Sequence, residues 1–307
     1  MKLEAEAQEL LSTIAAQIAR HAPNEGVTAT SVSGVTLLRA DGATLLQRGV
    51  LRPSVCVVVQ GHKVAQAGTD TTLRYGAGSF LASSIDVPLA GQVLDATRAR
   101  PFLAVRFDLT PHDILSVLQD AKIHLDPTAP SCPATFVGKS DARLLDVALR
   151  SVRSLDDERE AHFLAPSLRR ELIFRLVTGP SAFAMTQSAS LARTEDGVGR
   201  ALEWLKTHFR EPLDIPALAK QASMSTSTLH HKFKATVMMG PLQYQKRLRL
   251  EEARRLLLSG LADATGAAFD VGYESPSQFT REYRRQFGLP PLRDVKRMRS
   301  ELRATMT

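Results

Sequence analysis

Two short stretches of the chain place hydrogen-bonding and cationic side chains at helical spacing. In the first, Ser227, His230, His231 and Lys234 fall on one face, opposite Leu229, Phe233 and Val237 at i, i+4 and i+8. In the second, Ser277, Gln278, Arg281, Arg284 and Arg285 fall opposite Phe279, Tyr283 and Phe287. Hydroxyl, imidazole, amide and guanidinium groups on an exposed helix face can bond phosphate oxygens and the edges of bases in a major groove. The plainer alternative is a basic helical bundle whose charges are only solvated.

The two stretches are copies of one unit. Ser225, Ser227, Leu229, Phe233 and Val237 match Ser275, Ser277, Phe279, Tyr283 and Phe287 at an offset of 50, and Leu218-Ala219 match Ala267-Ala268 at 49. Each copy reads as helix, tight turn, helix. Ser225 and Ser275 are N-cap types, Pro276 suits a first helical position, and Gln278 stands at capping-box spacing from Ser275. Gly272 supplies the second turn, Gly288 suits a left-handed helix end, and Asp214 can cap the leading helix of the first copy. Residues 241–259 between the copies read as one helix about 28 Å long. One turn of B-DNA is about 34 Å, so the spacing fits two helices in successive major-groove segments.

Charge agrees with this placement. Residues 199–307 hold 19 Lys and Arg against 11 Asp and Glu, whereas the preceding 198 hold 20 against 21. A basic third beside a neutral remainder points to a polyanionic partner for one domain. Charge alone does not separate nucleic acid from an anionic membrane.

The rest of the 307-residue chain is long enough for a second domain. Its composition, 44% hydrophobic and 23% charged, is that of a globular protein and disfavours collagen-like, disordered and membrane classes. Residues 3–20 carry helical periodicity, and the acidic residues there do not fit a signal peptide. From 27 to 109 the apolar runs are short: 54–60, 72–75, 79–82 and 102–107. Asp41-Gly42, Gly61-His62, Gly68-Thr69 and Gly76-Ala77-Gly78 separate them, as in a β-sandwich or barrel. After Pro111 the pattern becomes helical until Gly179-Pro180. Residues 181–197, rich in Ser, Ala and Thr near their start, read as a linker.

Several enzymatic chemistries lack their residues. Between 27 and 109 His62 is the only histidine, too few for a metal-binding barrel. Gly76-Ala77-Gly78 starts like a dinucleotide loop, but Leu81 occupies the third glycine position. There is no Walker motif, Cys-x-x-Cys or His-Glu-x-x-His. Two cysteines cannot form a disulfide framework, which fits a reducing compartment. Cys56 lies in an apolar strand, and Cys132 in a loop-like Pro130-Ser131-Cys132-Pro133.

The sequences "ASMSTSTLHHKF", "PLQYQKRLRLEEARRLL" and "AAFDVGYESPSQFTREYRRQFGLPPLRD" resemble the double helix-turn-helix of the AraC/XylS family of bacterial transcription regulators. "LRPSVCVVVQGHK", "LRYGAGSFLASSIDVPLAGQV" and "LAPSLRRELIFRLVTG" resemble the cupin-like N-terminal domain of one AraC subgroup. Met238-Met239 stand where many members have Thr-Gly or Thr-Ala. The resemblance implies an α+β chain, with a cupin-like β-barrel and flanking helices at 1–180, a linker at 181–197, and a helical DNA-binding domain at 198–307. It also implies base contacts from Ser227, His230, His231, Ser277, Gln278 and Arg281. Lys234, Arg284 and Arg285 read as phosphate contacts.

The expectation is therefore a cytoplasmic bacterial regulator, not an enzyme, with no catalytic residues, metal or cofactor. Its partners would be double-stranded promoter DNA, a small organic effector, a second copy of itself, and RNA polymerase if it activates. No membrane partner is expected. Val57, Val58, Ser83, Phe102 and Val105 are the candidate effector-pocket residues. The alternative keeps DNA binding but makes the N-terminal domain a protein-interaction or thiol-switch module without a diffusible ligand.

Overall fold

The computed structural model describes residues 2–67, 71–125, 132–191 and 196–305. The expected turn at Gly68-Thr69, the residues Pro130 and Ser131, and positions 192–195 of the expected linker lie outside the described residues. Among the described residues the chain forms two compact units, one built from nine strands and five α-helices, the other from seven α-helices together with the segment Gln47–Val50.

The first unit opens with α1 (Lys2–His21). Strands follow in chain order: β1 (Gly26–Ala29), β2 (Val35–Ala40), β3 (Gln47–Leu51, whose first four residues cluster with the second unit), β4 (Ser54–Gln60), β5 (His62–Ala67), β6 (Thr71–Gly76), β7 (Ser79–Ser83), β8 (Val87–Val93) and β9 (Phe102–Asp108). Then come α2 (Pro111–Asp120), β10 (Thr135–Lys139), α3 (Ala142–Arg153), a short 3₁₀ turn (Ser154–Asp156), α4 (Glu158–Thr178) and α5 (Ala182–Ser190). One antiparallel sheet has the order β1-β2-β9-β4-β7-β10; in the other, β8, β5 and β6 are neighbours.

Strand β4 shows why its sequence is apolar without interruption. Its side chains alternate between faces, and both faces are covered. Val55, Val57 and Val59 join Leu103, Val105 and Phe107 of β9 in a core closed by Ile14 and Ile18 of α1 and Leu145 and Val152 of α3. Cys56 and Val58 face the other way, with Ala65, Tyr75, Leu81, Val93 and Phe102. Each fully buried valine contributes about 1.5–3 kcal/mol.

Strand β10 and helix α5 depart from the sequence reading. After Pro111 the pattern points to helices, yet Thr135–Lys139 returns to the large sheet and pairs with β7, Val137 opposite Leu81. Five residues are too few for a period-2 pattern to stand out among helices. Within the stretch read as a linker, residues 182–190 form α5, and its Met185 and Ala189 enter the first unit's core. Two small anchors in a Ser/Ala/Thr-rich stretch leave little apolar periodicity to detect.

The second unit consists of α6 (Gly197–Thr207), α7 (Ile215–Gln221), α8 (Thr226–Val237), α9 (Pro241–Ser259), α10 (Ala264–Asp270), α11 (Pro276–Phe287) and α12 (Pro291–Thr305). Helix α9 has the 19 residues expected of the connecting helix. No helix among the described residues is long and apolar enough to cross a membrane.

Candidate nucleic-acid interface

The internal repeat becomes two helix-turn-helix units, α7–α8 and α10–α11, with the same turn. Ser223 N donates to Lys220 O at 3.0 Å and Met224 N to Ala219 O at 2.9 Å. In the second unit Gly272 N donates to Phe269 O and Tyr273 N to Ala268 O, each at 2.9 Å. The left-handed turn residue is Ser223 (φ +55°) in one and Gly272 (φ +86°) in the other. Gly272 is irreplaceable for a second reason: a Cβ there would collide with the Arg210 carbonyl oxygen. Ser223 escaped the sequence reading because serine is not a signature of positive φ.

Both second helices start on serine caps. Ser225 Oγ accepts from Thr228 N at 3.2 Å, and Ser275 Oγ accepts from Gln278 N at 3.3 Å. Asp214 holds the N-cap position of α7 without a side-chain cap bond. The side chain of Gln278 does not complete a capping box; its Nε2 reaches forward to Glu282 Oε1 at 3.3 Å.

Burial then fixes which face each helix presents. Leu229, Phe233 and Val237 are inaccessible to solvent, as are Phe279 and Tyr283, while Phe287 is nearly so. Phe233 meets Tyr244 of α9 edge-on at 5.7 Å, and Tyr273, Phe279, Tyr283 and Phe287 form a continuous aromatic run. With that face anchored, Ser227, His230, His231 and Lys234 on α8 are exposed. So are Ser277, Gln278, Arg281, Arg284 and Arg285 on α11. The three arginines make no ion pair among the described residues, so their guanidinium donors face solvent.

Behind α11 lies a network that the sequence did not reveal. Glu282, half-buried, accepts from Lys246 Nζ of α9 at 3.1 Å and from Tyr273 OH at 2.9 Å, in addition to Gln278. Burial raises its carboxyl pKa, but bonds from Lys246, Tyr273 and Gln278 outweigh that and hold it below the usual value. Glu282 thus fixes the amide of Gln278 from the protein side. Arg249 ties the turn of the second helix-turn-helix to the segment after α6: its guanidinium donates to the carbonyls of Phe209, Arg210, Glu211 and Gly272 at 2.6–3.1 Å.

In the first unit, the five candidate pocket residues do not converge. Val57 and Val105 pack toward the helices; Val58 and Phe102 point into the space between the sheets. Ser83 Oγ is bonded to Ile85 O and Thr135 Oγ1, each at 2.8 Å, and joins β7 to β10. Burial pushes the thiols of both Cys56 and Cys132 up. Among the described residues no three His, Cys, Asp or Glu side chains stand close enough to hold a metal.

Two helix-turn-helix units on a shared connecting helix, with a two-sheet domain before them, define a DNA-binding regulator. Residues 31–184 match the family model of the AraC-type transcriptional regulator N-terminus, and residues 218–297 match that of a helix-turn-helix domain. The chain belongs to the AraC family of DNA-binding transcriptional regulators. It is 30% identical over 151 residues to the HTH-type transcriptional activator RhaS of Escherichia coli, an alignment covering 48% of this chain and 52% of that protein. The match thus spans about half the length of this curated relative. The fold is also that of ToxT from Vibrio cholerae. An apo form superposes with a TM-score of 0.56 at 8% identity, covering 87% of this chain and 98% of that one. A form bound to an unsaturated fatty acid gives 0.53 at 8%, covering 85% and 93%.

Proposed function

We propose that the protein is a sequence-specific regulator of promoters whose DNA affinity responds to a small organic effector. The observation that carries the DNA reading is the pair of serine-capped helices, α8 and α11, each with an apolar face buried and a hydrogen-bonding or cationic face exposed. Ser227, His230, His231, Ser277, Gln278 and Arg281 are assigned to base edges. Lys234, Arg284 and Arg285 are assigned to phosphates, which position the protein without reading sequence.

The N-terminal unit is assigned to effector binding and homodimerisation, and RNA polymerase is a partner if the regulator activates. ToxT, which shares the fold, binds a fatty acid; the effector here is an organic molecule of unassigned identity. Because α5 packs into the N-terminal core, the joining segment is shorter than 181–197. The thiol-switch alternative loses support from the raised thiols, since a redox sensor needs thiolate.

The test is binding of the full chain to fragments of the promoters beside its own gene, over a salt series. Log affinity should fall linearly with log salt, by about 0.9 for each phosphate contact. Salt-independent binding, or equal affinity for all duplexes, would overturn the reading.

A further inference from the structure

A groove of about 500 Å³ lies in the N-terminal unit between α2, α4 and the loop joining β1 to β2. Its volume is within the ~300–1,000 Å³ typical of small-molecule sites. It shares no residue with the candidate pocket considered above. Val32, Val117 and Ile173, all buried, give it an apolar floor. Its walls carry His112 from α2, and His162, Arg169 and Arg170 from α4.

The two arginines differ. Arg170 is committed, to the carboxylate of Asp120 and to Ser116 Oγ. Half-buried Arg169 has one partner among the described residues, the carbonyl of Ser33 at 2.5 Å. A guanidinium has five N–H donors, so most of those on Arg169 remain available to a ligand. The position of Arg169 is built in: Gly34, at φ +80°, lets the guanidinium lie against the backbone, where a Cβ would stand 2.7 Å from Nη2. Asp113, the carboxylate in the lining, is turned to the cap of α2, where one of its oxygens accepts from Thr110 N at 3.2 Å. Pro166 adds a further polar group. It has no amide hydrogen, so the carbonyl of His162 lacks its i+4 helical donor.

An apolar floor beneath an underused guanidinium selects a molecule with an acidic head and a hydrocarbon body. We propose that this α2–α4 groove binds a small organic carboxylate, with Arg169 as its anion anchor. The proposal goes beyond the regulatory reading and stands on direct binding, whether or not the ligand alters DNA affinity.

The test is isothermal titration calorimetry on the full chain, with octanoate and cinnamate as carboxylates and octan-1-ol as the uncharged control. Octanoate or cinnamate should bind, and octan-1-ol should bind at least about tenfold more weakly, as expected when a charged hydrogen bond is lost. Arg169→Gln should cut carboxylate affinity about tenfold or more and leave octan-1-ol unchanged, with an unaltered melting temperature. Arg170→Gln should have the smaller effect. Ala165→Leu, which narrows the groove without touching charge, should weaken the carboxylates and the alcohol alike. Failure of both carboxylates to bind, or binding indifferent to Arg169→Gln and Ala165→Leu, would overturn the proposal.

Discussion

Met238 and Gly288 hold equivalent places 50 residues apart, each the left-handed residue that ends the second helix of its unit, at φ +63° and +83°. Left-handed backbone costs a non-glycine residue about 1–2 kcal/mol, so the first unit carries strain that the second avoids. Met238→Gly should stabilise the first unit by up to about 1 kcal/mol, the gain being trimmed by the lost methionine packing. Gly288→Ala meets open space at its Cβ and should cost the second unit about 1 kcal/mol from backbone alone. Urea denaturation of the full chain, followed by hydrogen exchange in α8 and α11, measures both.

The carboxylate of Asp294 is inaccessible to solvent and is held by Arg254 at 2.8 and 3.2 Å, Arg297 at 2.8 Å and Tyr283 OH at 3.0 Å. Arg254 also lies over the Phe287 ring at 4.3 Å. Removing one partner of such a buried pair leaves a charge uncompensated. Asp294→Ala should therefore destabilise the second unit by about 3–5 kcal/mol. Tyr283→Phe, losing one hydrogen bond to a charged group, should cost about 1.5–3 kcal/mol. Equal effects of the two in thermal melts would show that the ion pair contributes nothing beyond the tyrosine bond.

Glu251 on α9 gives the fold a pH dependence. Burial pushes its carboxyl from 4.5 up to about 7, against the opposing pull of Arg254 and Arg247, and Oε1 has no hydrogen-bond partner among the described residues. The folded state keeps a proton that the unfolded state has released, so this stabilisation is complete below about pH 4.5 and is lost as pH rises through 7. The loss approaches about 3 kcal/mol. Glu251→Gln should match the parent in acid and exceed it in stability above pH 7. Parallel stability–pH curves for the two proteins would contradict this.

The proposed assignment gives Arg281 a base edge and Arg285 a phosphate. Arg281→Ala should cost about 1–3 kcal/mol on the preferred operator and relax preference at one base position. Arg285→Ala should weaken all duplexes about equally and reduce the salt slope by about 1. A randomised-operator selection combined with salt titrations distinguishes them. Interchanged outcomes would mean that the helix is rotated in the groove relative to our assignment.

What the sequence disclosed was periodic and long. Helices α1, α3, α8, α9 and α11 and strand β4 all announced themselves through apolar spacing, and serine caps marked where α8 and α11 begin. The two exposed faces followed, because an amphipathic helix has one way to bury Phe233 or Phe279. Features built from single residues distant in sequence stayed hidden. Glu282 gives no local hint that Lys246 and Tyr273 converge on it, and Arg169 gives none that Gly34 makes room for it. The candidate pocket residues scattered because a strand's alternation sends neighbours Val57 and Val58 into different core layers.

The four carbonyls gathered by Arg249 bind the turn of the second helix-turn-helix to the segment following α6. Since α9 is continuous from Pro241 to Ser259, the two units have no hinge between them. The helical C-terminal unit behaves as a caliper set to one opening. Its operators should therefore carry two short boxes in fixed phase, and five extra base pairs between them would turn one box to the far side of the duplex, beyond reach of the helix that reads it.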